Sequence, residues 1–156
     1  MKTREIAEIA AFAALYAVLT WVLAPISYNV LQFRVAESLK SIVVKRKHLI
    51  WAFVVGNALS NIFSPFVGVW ELIWMPLINV LGGGSAWLLG HRIPGLRGMV
   101  IGGALFAVWV AFGVSFMLYM LFSVPYVITF IYLLVPEVIL IAGFSPVMSR
   151  VSERLK

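Results

Sequence analysis

Between Met99 and Phe122 the chain carries no charged side chain at all. A helix must present about 20 consecutive apolar residues to cross the hydrocarbon core of a bilayer. Lipid offers the backbone no hydrogen-bond partners, so only helices and closed barrels span it. The run is continuous rather than alternating, which selects the helix. Similar runs extend from Ile6 to Ala24, ended by Pro25, and from Leu49 to Phe63, ended by Ser64-Pro65. Two more cover Val69 to Leu89 and Tyr126 to Met148, the latter joined to its predecessor by a tight Ser123-Val124-Pro125 connection. The chain is 63% hydrophobic and 12% charged over 156 residues. That is too little polar material to clothe a soluble domain of this size, so lipid is the solvent for most of the outside. The length suits one transmembrane domain covering residues 1–156. The first run exceeds the roughly 7–15 residues of a signal-peptide core, so it is expected to be a retained span.

The stretch from Val30 to Val44 is short and mixed. At about 100° per residue, Arg34, Glu37, Ser38, Lys40 and Ser41 fall on one side of a helix. Val35, Ala36, Leu39, Ile42 and Val43 fall on the other. Such a segment either lies on the outer surface or crosses with its polar side facing a cavity. If it crosses, Lys2, Arg4, Lys45, Arg46, Lys47, Arg92, Arg97, Arg150, Arg154 and Lys156 share one side of the membrane. If it does not, the Lys45-Arg46-Lys47 cluster moves outside and later loops invert. The positive-inside rule favours crossing. The expected fold is an all-α integral membrane protein, a compact bundle of about six transmembrane helices with both termini cytoplasmic, in the cell membrane.

Several function classes fall away. The net charge of +6 sits in short clusters between apolar runs, which is a topology signal and not a nucleic-acid footprint. Cysteine and aspartate are absent, and neither a P-loop nor an H-E-x-x-H sequence occurs. No catalytic residue, metal site or cofactor is expected, and no route to ATP hydrolysis is visible. His48 and His91 flank basic turns, and Gly82-Gly83-Gly84 lies inside an apolar run, where it suits close helix packing.

Ionisable groups in hydrocarbon cost roughly 2.5–3.5 kcal/mol each on insertion scales, so they mark candidate sites. Arg34, Glu37, Asn61 and Glu71 converge near the extracellular end of the expected topology. Glu137 sits near the middle of the last span and demands a partner, a proton or a wet cavity. Plainer roles exist. Arg34 and Glu37, one turn apart, can neutralise each other. Asn57 and Asn61 can bridge helices, and Glu71 can be a solvated end residue. Trp21, Trp51, Trp70 and Trp87 suit an interfacial belt, whereas Trp74, three residues past Glu71, can stack on a flat ligand or anchor in lipid. Ala7, Ala10, Ala14 and Ala17 form a small-residue stripe, fit either for packing within the bundle or for docking a separate membrane subunit.

Tyr16-Ala17-Val18-Leu19-Thr20, Leu23-Ala24-Pro25-Ile26-Ser27-Tyr28, Gln32-Phe33-Arg34-Val35-Ala36-Glu37-Ser38-Leu39 and Asn61-Ile62-Phe63-Ser64-Pro65 together resemble the QueT-type queuosine-precursor transporters. These are substrate-binding (S) components of energy-coupling factor transporters. The likeness is densest in the first half; Glu71 and Glu137 fall where the family carries acids. Ala36-Glu37-Ser38 exchanges the small residues around the family's acid, and Lys40 is atypical. The resemblance implies a subunit that binds a scarce solute outside, docks on a transmembrane coupling subunit and topples to deliver it, energised by two cytoplasmic ATPase subunits. It implies a deazaguanine-like substrate held by Arg34, Glu37, Asn61, Glu71, Trp74 and Glu137, and docking through Ala7, Ala10, Ala14 and Ala17. An S component for another vitamin-like solute, or a membrane scaffold without transport, are the alternatives. Three carboxylates around a wet cavity favour transport; carboxylates locked in interhelical pairs favour the scaffold.

Overall fold

The computed structural model describes residues 2–28 and 33–155, and every regular element among them is helical. Helix α1 spans Thr3–Val22 and is followed by the single turn α2, Ala24–Ser27, with Pro25 in its first turn. A 3₁₀ helix occupies Val35–Val44, and a short one follows at Lys47–Leu49. Helix α3 is Ile50–Asn61. A π turn at Trp70–Trp74 runs straight into α4, Met75–Gly90. Helices α5, α6 and α7 cover Gly95–Phe122, Tyr126–Ile141 and Ser145–Arg154. Four helices are long and apolar enough to cross a membrane: Thr3–Val22, Trp70–Gly90, Gly95–Phe122 and Tyr126–Arg154. The last contains a break after Ile141, so the expected span to Met148 is two helices in sequence. Val30 and Gln32 lie outside the described residues.

Helices α1, α3, α4, α5 and α6 pack in succession, each on the next in the order α1–α3–α4–α5–α6. The Val35–Val44 helix fills the space they enclose and touches α1, α4, α5, α6 and α7. It is buried from Ala36 to Val44 on every side. That rules out the surface alternative, and it replaces the two-faced pattern expected of a segment with one side on a cavity: Ala36, Leu39, Ile42 and Val43 are buried in protein, and Val35 is half-buried. The winding differs as well. Three residues per turn bring Arg34, Glu37 and Lys40 into one row, where α geometry would fan them out. A 3₁₀ rise also stretches ten residues to about 20 Å, against about 15 Å as α-helix. This lets a short segment reach between the two ends of the bundle.

Those ends are chemically unlike. At one, Glu8 accepts from Arg46 Nη1 at 2.8 and 3.0 Å and lies 2.8 Å from His48 Nε2 and 3.3 Å from Arg4 Nε. Arg46 Nη2 donates to Ser152 O at 3.2 Å, Lys45 Nζ to Ser149 Oγ at 2.7 Å, and Arg4 to Leu155 O. The N-terminus, the 45–48 turn and α7 therefore meet at a single basic end, as the positive-inside argument requires of the crossing segment. At the other end, α5 stops at Ser123, whose left-handed φ of 54° caps the helix through its N–H on Tyr119 O at 2.9 Å. Pro125 then starts α6. Outward faces carry bare aliphatic side chains such as Val22, Ile128 and Ile131, which only a lipid surround accommodates at this density.

Small residues set the spacing. A Cβ at Gly56 of α3 would stand 3.0 Å from Ala13 O and 3.1 Å from Tyr16 Cβ of α1. A Cβ at Gly82 would stand 2.6 Å from the Phe106 ring, and one at Gly83 3.0 Å from Ile50. Gly84 has open space. The glycine run thus serves packing at two positions of three.

Candidate functional site

The row on the 3₁₀ helix is the spine of a buried polar network. Lys40, fully buried, pairs with Glu37, which is 2% exposed. The Tyr16 hydroxyl of α1 donates to the other Glu37 oxygen. Asn57 Nδ2 of α3 donates to Tyr16 Oη at 3.4 Å, and Asn61 Nδ2 donates to Asn57 Oδ1 at 3.4 Å. Asn61 also donates to the Glu71 backbone carbonyl at 3.1 Å. Arg34 Nη2 closes the chain on Glu71 Oε1 at 3.8 Å. The path Lys40–Glu37–Tyr16–Asn57–Asn61–Glu71–Arg34 links four segments of the chain. A charge in so dry a setting persists only when paired.

Local sequence explains each placement. Asn57 and Asn61 are four apart on α3 and share its inner face. Glu71 is turned inward by the π turn: Pro76 lacks the N–H that would bond Leu72 O, and its ring crowds that carbonyl. Widening to an i→i+5 bond, Met75 N–H to Trp70 O, relieves the clash. Glu71 is then 1% exposed, so it is not a solvated loop-end residue. The close ion pairs of Arg34 and Glu37 are made with other residues: Arg34 takes Glu71 and Glu37 takes Lys40. The Arg34 guanidinium also lies 5.3 Å from the Tyr28 ring, and Tyr28 Oη donates to Ser60 O at 2.6 Å.

Glu137, 5% exposed on α6, lies within electrostatic reach of Glu37, Lys40 and Arg34. Its Oε2 has no hydrogen-bond partner, and neither do Glu71 Oε2 and Arg34 Nε. Trp74 stands apart from the charges: its Nε1 donates to Gly113 O at 2.9 Å, and its ring packs at 5.3 Å on Phe116 of α5. The structure thus brings Arg34, Glu37, Asn61 and Glu71 into one network with Glu137 close by, and fixes Trp74 in the α4–α5 contact.

Sequence reasoning left Tyr16 and Lys40 out of the site. The signal for Lys40 was its i+3 spacing from Glu37; for Tyr16 it was a lone hydroxyl in an apolar run. In the alanine stripe, Ala7, Ala10 and Ala14 are exposed, whereas Ala17 is buried. The stripe drifts around a 3.6-residue helix until Ala17 faces the bundle interior.

No curated protein and no solved structure matches the chain. The profile of the QueT transporter family, in contrast, matches residues 6–154. That match takes in α1, the charged row, α3, the π turn and the helices behind them, and the chain belongs to the QueT transporter family.

Proposed function

We propose that this chain is the substrate-binding subunit of an energy-coupling factor importer, capturing a queuosine precursor from outside and releasing it inward with a coupling subunit and two ATPase subunits. Membership of a transporter family supports the class, and the absence of any nucleotide-binding sequence fits a subunit energised by others. In the same reading it sits in the cell membrane as six spans, with the basic end cytoplasmic; the gathering of basic residues at that end supports this orientation.

The observation that carries the reading is the set of unpartnered polar atoms at the charged row. A scaffold that used these residues as structural glue would satisfy most of their buried polar atoms, whereas the unpartnered atoms of this chain gather mainly at the charged row. Here Glu37 and Glu71 are paired, as a scaffold would have them, yet Glu71 Oε2, Glu137 Oε2 and Arg34 Nε lack partners at 1%, 5% and 7% exposure. A deazaguanine presents adjacent N–H donors that a carboxylate accepts as a pair; Glu71 and Glu137 each have one oxygen without a hydrogen-bond partner, and the second oxygen of Glu71 is freed when Arg34 leaves it. Arg34, held by Glu71 at the long distance of 3.8 Å, is the group best placed to exchange its partner for a ligand carbonyl. Glu37 and Asn61 brace the far side. Trp74 contributes as a wall of the bundle. The exposed face of Ala7, Ala10 and Ala14 is where a coupling subunit would approach closely, with Ala17 beneath it in the internal packing.

The test is equilibrium binding to the purified protein of a deazaguanine precursor beside riboflavin and thiamine. Saturable binding of the deazaguanine alone is expected. Binding of one of the vitamins instead would transfer the protein to another solute, and no binding of the deazaguanine would remove the queuosine-precursor reading while sparing the transporter class.

A further inference from the structure

Charge at the basic end is unevenly compensated. Its carboxylates, Glu5, Glu8 and Glu153, lie on α1 and α7 and are already engaged. Glu5 accepts from Lys2 N–H at 2.8 Å, Glu8 takes Arg4, Arg46 and His48, and Glu153 lies 3.6 Å from Lys45. Where α4 turns into α5 there is no acid to match. None occurs between Glu71 and Glu137, while Arg92 and Arg97 lie on this connection. Among the described residues no carboxylate pairs with Lys47, Arg92 or Arg97. An open recess of about 440 Å³ sits here, walled by Val44, Lys45, Trp87, His91, Pro94 and Gly95. The Trp87 ring carries His91 stacked at 4.5 Å, and Lys47 Nζ lies 5.2 Å from its centroid. From the next residue on, Leu96, Arg97, Val100 and Ile101 line an apolar groove of about 280 Å³ on α5. Leu96 and Arg97 belong to the first turn of α5, and Val100 and Ile101 to the second, so the groove leads from the basic end towards the hydrocarbon. Leu88 and Leu89 at the end of α4 are exposed as well.

We propose that this corner binds an anionic phospholipid: Lys47 on the Trp87 side and Arg97 on the α5 side hold its phosphate at the recess, and an acyl chain lies in the groove of α5. The cations select the headgroup. They have no protein counter-charge, and basic pockets between membrane helices are where anionic headgroups settle. The groove selects a lipid over a soluble phosphate, because only an acyl chain gains from its apolar walls. Arg97 joins the two parts: its aliphatic stem lines the groove and leaves the guanidinium for the headgroup. Lys45 also lines the recess, but its amine is tied to Ser149 Oγ at 2.7 Å and to Glu153, so it serves as wall. The site lies away from the charged row and stands whatever the cargo.

The experiment titrates the purified full chain in detergent with phosphatidylglycerol or phosphatidylcholine of identical acyl chains and counts bound lipid by native mass spectrometry. One phosphatidylglycerol should be retained in preference to phosphatidylcholine. Each Lys or Arg at such a surface contributes about a factor of five, so Lys47→Gln/Arg97→Gln should weaken phosphatidylglycerol roughly 25-fold. Arg150→Gln/Arg154→Gln removes the same charge from α7 and, being screened from the recess, should change the affinity by less than about threefold. All four side chains are exposed, so neither variant opens the interior. Glycerol phosphate, which keeps the phosphate and lacks the chains, should not displace the lipid at matching concentration. Displacement by glycerol phosphate would give the recess to a soluble phosphate and overturn the lipid. Equal weakening by the two double variants would reduce the effect to diffuse charge and overturn the site, as would equal retention of the two lipids.

Discussion

Removing the Glu37 charge alone should cost more than removing Glu37 and Lys40 together. In Glu37→Gln the amide oxygen still accepts from Tyr16, so that hydrogen bond survives. Lys40, with no exposed surface and aromatic rings on two sides, is left as an ammonium with no carboxylate in contact. Breaking a buried pair by deleting one partner typically costs about 3–5 kcal/mol, whereas replacing both with apolar groups of similar volume is often neutral or stabilising by about 1–4 kcal/mol. Neither side chain exceeds 2% exposure, so solvent screening gives no relief. For a chain of this length each kcal/mol moves the midpoint by about 2–4 °C. The single variant should therefore melt roughly 6–20 °C below wild type. Glu37→Gln/Lys40→Met should recover most of that loss. Thermal unfolding of the purified protein in detergent micelles, followed through its 6 tryptophans, measures both. A Glu37→Gln midpoint equal to wild type, or a double variant no more stable than the single, would refute the claim that Lys40 depends on Glu37 for its place in the interior.

The other expectations concern the frame around the site. Ala14→Trp changes an exposed position, so it should leave ligand binding intact and abolish co-purification with the coupling subunit; unchanged co-purification counts against the stripe as a docking face. Gly82→Ala drives a methyl to 2.6 Å from Phe106, whose ring backs Lys40, and should destabilise by about 1–3 kcal/mol. Gly84→Ala, with open space at its Cβ, should gain up to about 1 kcal/mol of helix propensity; equal midpoints for the two would show that α4 and α5 are not in such close contact. Since the chain has no cysteine, Lys47→Cys gives a single labelling site. An impermeant maleimide should reach it in inside-out vesicles and not in intact cells, and the reverse pattern would invert the proposed orientation.

What the sequence determined alone is local. Lipid forces each crossing segment to satisfy its own backbone, so long apolar runs announced α1, α3 and α5 within a few residues of their observed ends, and located α4 and α6 without showing the π turn before the one or the break after Ile141 in the other. The Ser123-Val124-Pro125 turn was legible for the same reason: a left-handed cap followed by proline ends one helix and starts another by backbone chemistry. The placement of Lys45, Arg46 and Lys47 with the termini followed from charge, which lipid excludes. Partner choice was not local. Spacing along the chain offered Glu37 to Arg34 as its neighbour, but Arg34 reaches Glu71 and Glu37 holds Lys40 and Tyr16. Those pairings needed a 3₁₀ winding that the apolar–polar pattern does not encode, a π turn that swings Glu71 inward, and an α1–α3 contact close enough at Gly56 to bring Tyr16 to the row. Each depends on how segments far apart in the chain fill one enclosed space. Close packing allows few solutions to that problem, and none can be read from one segment by itself.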